Sequence, residues 1–421
     1  MFMHHAVGRR SRLHSQSFRT LRAGFVVLAV FFGPAVPAAS AQTAPSGEPF
    51  RIGAILSKTG AFSQYGQFIE QGLNVAVKRI NANGGILSRP VKLIIRDDAS
   101  NPGRALLAAK SLVADEKVDV IYPEVISGLA LAVLPYTTQK KILTISSGAS
   151  PLIGDPKKFP YSFQLADVAS KRTEAVAAAL KKVGAKKVGI LVSTNPPQVA
   201  LGDTLAADLP KKYGIDVAGY KQFSVEAKDL APQLQSLRDA GADTIAFDSG
   251  AREGVRVVMT GMQTLGWKAK VVSEPAVLYG DLTEQVPASV HDQFLAVNYR
   301  VGTWTGTPRP ELSAFIKDLK LEGPVNNLPY SALANDAVYM AKWAFETAMK
   351  EKGNTKAETL KEILETRSAV PAGYSVVFSD PKYSATDHTT TNADYTEMWG
   401  LIRVSKPRDG AYEGEDFSLS K

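Results

Sequence analysis

The feature that most constrains the fold of this chain is a regular alternation of short apolar runs with amphipathic stretches, beginning near residue 50. Arg51 to Leu56 is a short apolar run bounded by Ser and Gly, which is typical of a buried strand. In the next stretch, apolar residues from Ile69 to Ile80 recur at helical spacing, so one stripe of a helix faces a sheet. Strands that alternate with helices in this way form parallel sheets covered on both faces.

The alternation runs through two similar blocks. The first block ends at Ser146, and the same alternation of strand and helix patterns resumes near Ala169 and continues to Tyr299. Further helical stretches follow late in the chain, at about Pro310 to Leu321, Ser331 to Lys352 and Thr355 to Thr366. The sequence therefore predicts an α/β protein of two units, each a doubly wound, mostly parallel sheet, with helices that return after both.

The first 41 residues have the composition of a leader rather than of a folded unit. They contain five arginines and no acidic residue, then the apolar run Ala23 to Phe32 and the small residues Ala39-Ser40-Ala41. A basic segment, an apolar core of about ten residues and a small-residue site are typical of a cleavable secretory signal, whereas a membrane anchor needs about twenty apolar residues. We therefore predict a signal peptide at residues 1–41, cleaved after Ala41, with the twin-arginine route left open by Arg9-Arg10.

Composition narrows the class of the mature protein. The net charge of +8 falls to +3 when the five leader arginines are removed, which argues against a nucleic-acid partner. The chain has no cysteine, so it can hold no disulfide, thiolate nucleophile or lipid anchor. Beyond the leader only His291 and His388 remain, and neither has a metal-ligand or catalytic spacing, so both are predicted at the surface. No cofactor, metal ligand or catalytic residue is predicted.

Residues 50–101 contain the most distinctive sequence pattern of the chain. They combine a strand, the Gly-rich loop Ser57 to Gly66, a helix that ends at Asn83-Gly84-Gly85, and a second strand that ends in Asp97-Asp98. This block resembles the start of the leucine/isoleucine/valine-binding protein family, the type I periplasmic solute-binding proteins of ABC importers. The resemblance extends over about residues 50–400 and is strongest up to residue 150. It implies a two-lobe type I periplasmic binding protein fold with three hinge crossings.

The resemblance also implies where the lobes divide. The crossings fall near Leu165 to Ala169, Tyr299 to Thr303 and Pro371 to Tyr374. Lobe 1 is expected at residues 49–166 plus 302–372, and lobe 2 at residues 167–301 plus 373–421.

Two loops of the first unit suit a ligand on their residues alone, because ligands of open α/β sheets bind beyond the carboxyl ends of the strands. In the loop Ser57 to Gly66, two glycines allow close backbone approach, and Tyr65 either closes over a ligand or packs on the helix start. At Ser127-Gly128, amides and a hydroxyl at a helix N-terminus suit a carboxylate, although Ser127 is also a plain helix cap.

The resemblance assigns roles to these and other residues. Tyr65 stands at the position of a pocket tyrosine, and Ser127 at that of a serine that binds the ligand carboxylate. Gly148-Ala149-Ser150 matches a Gly-Ala-Thr stretch that contacts the ligand amino and carboxylate groups. In the second unit, Glu274 is the candidate partner of a ligand ammonium group, with a solvated strand-end acid as the alternative.

The second unit departs from the family pattern. The family often has Tyr-Gly after the first strand of that unit, where this chain has Leu201-Gly202, and often an aromatic residue at the position of Ala251 or Arg252. Two aromatic ligand contacts are therefore expected to be missing. Arg252 is expected either to face an acidic or polar ligand group or to lie on the solvent face of its helix. The branched-chain amino acid itself is thus open as the ligand.

The resemblance therefore implies a periplasmic, monomeric substrate-binding component of an ABC importer that closes on an amino acid or a related small carboxylate. It needs separate permease and ATPase subunits, because no Walker A pattern and no spanning segment is found. A ligand sensor of the same fold fits the residues as well. An enzyme is disfavoured, since no Gly-x-Ser-x-Gly elbow, phosphate loop or positioned His base is found, although a hydrolase using Ser and Asp alone stays open.

Overall fold

The computed structural model describes residues 44–306, 310–367, 376–377, 381–391, 395, 398–417 and 419. The signal peptide predicted at residues 1–41 and the third crossing predicted at residues 371–374 lie outside the described residues, so both stay predictions. No helix within these ranges is long and apolar enough to cross a membrane.

Strands and helices alternate as the apolar pattern predicts. The strands in chain order are β1 Phe50–Leu56, β2 Val91–Asp97, β3 Val120–Tyr122, β4 Leu143–Ser146, β5 Ser162–Gln164, β6 Lys187–Ser193, β7 Asp216–Phe223, β8 Thr244–Asp248, β9 Lys270–Ser273, β10 Phe294–Tyr299, β11 Thr303–Trp304, β12 Trp399–Arg403 and β13 Tyr412–Phe417. The helices are α1 Ser63–Ala82, α2 Pro102–Ala114, α3 Ser127–Gln139, α4 Ala169–Lys182, α5 Pro196–Asp208, α6 Ala231–Asp239, α7 Arg252–Thr264, α8 Pro310–Leu319, α9 Leu328–Lys352 and α10 Ala357–Thr366.

The first sheet has five strands in the order β2-β1-β3-β4-β5, and all of its pairings are parallel. α1, α9 and α10 share a core with one face of this sheet, and α2 and α3 cover the other. Helices on both faces explain why the strands are nearly continuous apolar runs. This sheet and its helices are called the first lobe below.

The second sheet has eight strands in the order β11-β13-β12-β10-β9-β8-β6-β7. The pairings from β7 to β10 are parallel, whereas β12 runs antiparallel to both β10 and β13. α4 and α5 pack on one face and α6 and α7 on the other. This sheet and its helices are the second lobe, and the two-lobe α/β architecture predicted from the sequence is confirmed.

The helices that come late in the chain complete the first lobe. α9 lies against α1, where the backbones are so close that a Cβ on Gly72 would lie 1.9 Å from the Ser331 carbonyl oxygen. The Ser331 hydroxyl donates to the Phe68 carbonyl across the same contact, at 2.9 Å. The core of the first lobe is therefore built from chain segments on both sides of the second lobe.

The first crossing follows β5 and is fastened to the C-terminal part of the chain. The amide of Gln164 donates to the His388 carbonyl (2.9 Å), and the Thr390 hydroxyl donates to the Ala166 carbonyl. We propose residues 49–166 plus 302–372 and 167–301 plus 373–421 as the two lobes. Within that division, segment 384–391 belongs to the second stretch and contacts the first lobe.

His388 is buried, which corrects the surface position predicted for it. Its ring stacks on Phe163 with the centroids 4.0 Å apart, and its Nε2 lies 2.8 Å from a carboxylate oxygen of Glu365. Burial lowers its pKa, against the opposing effect of Glu365. These partners are distant in the chain, so residue spacing gave no sign of them. His291 is half-buried.

Candidate functional site

Both sheets reverse their strand order at a central pair, β1 and β3 in the first lobe and β6 and β8 in the second. Ligands of such sheets bind in the crevice beyond the carboxyl ends of these strands. The predicted site residues lie in or just after the loops that follow β1, β3 and β4 in the first lobe and β8 and β9 in the second. In each lobe, loops near the point where the strand order reverses therefore contribute to the candidate site.

Ser127, Gly148 and Ser150 come together at the edge of the first lobe. The Ser150 amide donates to the Ser127 hydroxyl oxygen (3.1 Å), and a Cβ on Gly148 would lie 3.3 Å from that oxygen. The Gln164 side-chain amide donates to the carbonyls of Gly148 (2.7 Å) and Ser150 (3.2 Å), which fixes the loop that contains Ala149. This part of the predicted site is one cluster.

Ser127 is not the cap of α3, which corrects the simpler alternative for that residue. It is the first residue of the helix, Ile126 precedes it, and no side chain caps this end. Gly128 is exposed, with nothing within 4 Å of a Cβ built on it. An uncapped helix N-terminus with hydroxyls beside it has the donors and the partial positive charge that suit a carboxylate.

Beneath this edge lies a buried carboxyl group on the β3–α3 loop. Glu124 accepts hydrogen bonds from the amides of Ser57 (2.5 Å) and Val125 (2.7 Å). Burial raises the pKa of Glu124 from 4.5 to about 7, more than these two amides lower it. Asp98 accepts from the Ser57 hydroxyl (2.7 Å), and burial raises its pKa also. Glu124 and Asp98 therefore fix the loop after β1 through hydrogen bonds to Ser57.

Tyr65 projects from the first turn of α1 into a group of aromatic rings. It packs edge-to-face on Tyr330 of α9 (centroids 5.3 Å apart) and on Tyr279, which follows β9 in the second lobe (6.1 Å). Burial raises the pKa of Tyr65, and the nearby Tyr330, Tyr279 and Glu274 add to that effect. Tyr65 thus packs between the two lobes beside Glu274. Its closure over a ligand stays a prediction.

Glu274 is buried and paired, which corrects the solvated alternative. Arg172 of α4 donates from Nη1 to Glu274 (2.9 Å) and in a bidentate manner from Nε (2.7 Å) and Nη2 (2.9 Å) to Asp167. The Arg172 side chain is 17% exposed, and those of Asp167 and Glu274 are 0% and 2% exposed. The Tyr299 hydroxyl donates to Asp167 as well. Asp167 therefore links both described crossings, and Arg172 links Asp167 to Glu274.

A further acid lies beside this pair at the end of β8. Asp248 is buried and accepts from the Gln198 side-chain amide (3.1 Å) and the Gly250 amide (2.7 Å). Burial first, and then the nearby Glu274, raises its pKa well above the ordinary value. Three buried acids, Asp167, Asp248 and Glu274, therefore lie around one guanidinium at the second-lobe edge.

Arg252 turns toward the segment that follows Glu274 rather than toward solvent. Its Nη2 donates to the Asp281 carbonyl (2.7 Å), and its guanidinium lies 6.0 Å from the centre of the Tyr279 ring. The side chain is 23% exposed, so the solvent-face alternative is wrong. Contact between Arg252 and a ligand stays a prediction, and the observed role is support of Tyr279.

The same two-lobe arrangement occurs in known proteins. Residues 49–399 match the model of a family described as periplasmic binding protein. The chain belongs to this family. The resemblance to leucine/isoleucine/valine-binding proteins is confirmed by relatives of that name, which are solute-binding proteins and not enzymes.

Two such relatives and one solved structure show how far the similarity extends. A Leu/Ile/Val-binding protein homolog of Brucella melitensis is 26% identical over 204 residues, which cover 48% of this chain and 55% of that protein. Another, from Brucella abortus, is 23% identical over 349 residues, 78% of this chain and 89% of that protein. The solute-binding protein of an ABC transporter from R. palustris, in complex with 4-hydroxybenzoate, superposes with a TM-score of 0.70 at 21% identity, covering 88% of this chain and 96% of that chain.

Several residues at the candidate site of this periplasmic binding protein were not predicted from the sequence. Tyr279 and Tyr330 supply aromatic rings although the family's usual aromatic positions hold Leu201 and Ala251. Arg172 stands in the run Ser170-Lys171-Arg172, which is indistinguishable from a solvated helix face. One sequence signal was present, since Asp167 at the first crossing is followed five residues later by Arg172, a spacing that permits a bidentate ion pair. Only the fold shows that this ion pair is buried.

Gly66 offers a direct test of the close approach predicted for the loop after β1. A Cβ at this position would lie 2.1 Å from the Ser57 carbonyl oxygen, which is backbone and cannot rotate away. We expect Gly66→Ala to lower the free energy of unfolding by about 1–3 kcal/mol, measured by urea denaturation. Gly128→Ala is the matched control, because nothing lies within 4 Å there. Equal stability of the two variants would contradict the close approach.

Proposed function

We propose that this protein is the periplasmic substrate-binding component of an ABC importer, which closes its two lobes over an amino acid or a related small carboxylate. In this proposal a leader is removed after Ala41, and the protein delivers its ligand to a separate membrane permease that works with an ATPase. Closure follows from binding, because a ligand held by both lobes stabilises the state in which they meet.

The observation that carries the proposal is the opposite character of the two edges that face each other. The first-lobe edge offers donors, namely the hydroxyls of Ser127 and Ser150 and the uncapped N-terminus of α3. The second-lobe edge holds Glu274 and Asp167 against the single guanidinium of Arg172. A zwitterion placed across the cleft meets donors with its carboxylate and an acid with its ammonium group.

The same charges bear on the kind of ligand. The R. palustris relative binds 4-hydroxybenzoate, which has a carboxylate and no ammonium group. The buried carboxyl groups of Asp167 and Glu274 at the second-lobe edge stabilise a cationic ligand group and disfavour a second anion. The charge distribution therefore favours an amino acid over an aromatic acid for this chain.

A thermal-shift screen of the mature protein tests the proposed function. Each L-amino acid is compared with its 2-hydroxy acid analogue, alongside aromatic acids, short dicarboxylates, amides and urea. A tight ligand raises the free energy of unfolding by about 4 kcal/mol at a thousandfold excess over its Kd. We expect an amino acid to stabilise the protein and its 2-hydroxy analogue not to. Strongest stabilisation by benzoates would overturn the amino-acid assignment.

Ser127 and Ser150 are expected to bind the ligand carboxylate. A hydrogen bond between a hydroxyl and a charged group contributes about 1.5–3 kcal/mol, so Ser127→Ala or Ser150→Ala should weaken binding about ten- to a hundredfold by calorimetry. Ser236→Ala, at an exposed position of α6, is the control. Unchanged affinity in both cleft variants would place the carboxylate elsewhere.

A further inference from the structure

The N-terminus of α9 lies at the boundary between the lobes, where the Leu328 amide donates to the Gly410 carbonyl (3.3 Å) and one buried side-chain amide adds a second contact. Asn327 precedes α9, and its Oδ1 accepts from the Tyr330 amide (3.1 Å), which is an ordinary helix cap. Its Nδ2 donates to the carbonyl of Leu278 in the second lobe (3.1 Å). The residue is only 4% exposed. The two ends of a single side chain therefore serve different lobes.

Leu278 belongs to the segment that begins directly after Glu274, residues 275–281. Within the second lobe this segment is fixed by two donors to its carbonyls, Tyr412 Oη to Gly280 (2.7 Å) and Arg252 Nη2 to Asp281 (2.7 Å). Toward the first lobe it presents the Leu278 carbonyl to Asn327 and the Tyr279 ring to Tyr65. The segment is thus fixed within the second lobe and contacts Asn327 and Tyr65 of the first lobe.

The cap and the contact between lobes are chemically separable. Capping requires only an acceptor at position 327, which Asp or Ser also supplies. The bond to Leu278 requires a donor that reaches the second lobe, which an ionised Asp lacks and the shorter Ser side chain does not provide. A bond to a buried carbonyl that forms between two lobes favours whichever arrangement brings them together, independently of any ligand.

We propose that Asn327 is a positioning residue that latches the second-lobe segment 275–281 to the first lobe and so sets the ratio of closed to open protein. The proposal rests on the proposed function only in that closure accompanies binding. Arg252 and Tyr412 hold the segment in place for the latch. Opening the cleft separates the Asn327 amide from the Leu278 carbonyl and leaves the cap of α9 intact.

The test uses the ligand-free mature protein, so its outcome does not depend on which ligand binds. The chain has no native cysteine, so spin labels can be attached to two introduced ones. Ala61→Cys and Lys228→Cys place these at exposed positions, one after β1 and one after β7. Pulsed electron paramagnetic resonance gives the distribution of distances between the lobes, after unfolding and refolding to remove any copurified ligand.

We expect Asn327→Asp to lower the closed-to-open ratio about tenfold, since it keeps the cap and loses the donor. Asn354→Asp is the matched control, because Asn354 caps its own turn through Lys356 and contacts only the first lobe. Asn327→Ser, which also keeps a cap, serves if the Asp variant does not fold. A distribution in the position-327 variant equal to that of the control would overturn the latch.

Discussion

Replacing Arg172 with Met is expected to lower the free energy of unfolding by about 3–5 kcal/mol, because it leaves Asp167 and Glu274 as buried charges without a counterion. The guanidinium donates three hydrogen bonds to these two carboxylates. Burial opposes its charge, yet both acids outweigh that effect and raise the pKa of Arg172. Urea denaturation at neutral pH measures the loss.

The neighbouring Lys171 is the control for this substitution. It lies on the same helix and pairs with Glu174 (2.9 Å), but the two side chains are 28% and 45% exposed. A surface pair of this kind contributes about 0–1 kcal/mol, so Lys171→Met should have little effect. Neutralising the stranded acids as well, with Asp167→Asn and Glu274→Gln, should restore part of the stability lost in Arg172→Met. A loss no larger than that of Lys171→Met would contradict the buried network.

Glu124 should make the protein less stable as the pH rises from about 4.5 to about 7. Burial raises its folded-state pKa from 4.5 to about 7, so the folded protein binds a proton that the unfolded chain releases in this range. The contribution is fully present below pH 4.5 and is lost as the pH approaches 7. A difference of this size corresponds to about 3 kcal/mol.

The measurement is the free energy of unfolding as a function of pH, for the wild type and for Glu124→Gln. Gln resembles the protonated acid and still accepts from the Ser57 amide, so we expect the variant to lack this part of the decline. Glu116→Gln removes a carboxylate that pairs with Arg96 near the surface and controls for the change of charge. The same decline in wild type and Glu124→Gln would show that Glu124 ionises normally.

The cluster on the first lobe was largely predictable because its residues lie close to the strand ends that position them. Ser127, Gly148 and Ser150 follow adjacent parallel strands, so the sheet itself brings them together. Gly66 was predicted for the same reason, since a strand-to-helix turn after β1 leaves room for only a hydrogen atom near the Ser57 carbonyl. Strand-end position pointed to the loops Ser57 to Gly66 and Ser127-Gly128, and the family resemblance added Gly148, Ala149 and Ser150.

The residues that reach the site from distant parts of the chain were not predictable in this way. Tyr330 and Asn327 come from the return of the chain after the second lobe, and Tyr279 from a segment without a regular pattern. His388 was assigned to the surface because its partners, Phe163 and Glu365, are far away in the chain. Arg252 was predicted either to contact a ligand or to face solvent. In the structure it donates to the Asp281 carbonyl, in the segment that follows β9.

By itself, the sequence determined that this protein is an α/β molecule of two parallel-sheet units with late helices, and that the loops at the strand ends hold its polar groups. Periodicity and strand-end position are local properties, and a few neighbouring residues suffice to express them. Only the tertiary structure decided that Arg172 is a buried counterion rather than a solvated one, that Glu274 is paired, and that Asn327 joins the lobes. Burial and charge pairing depend on which distant segments meet, and that information lies in the crossings between the lobes.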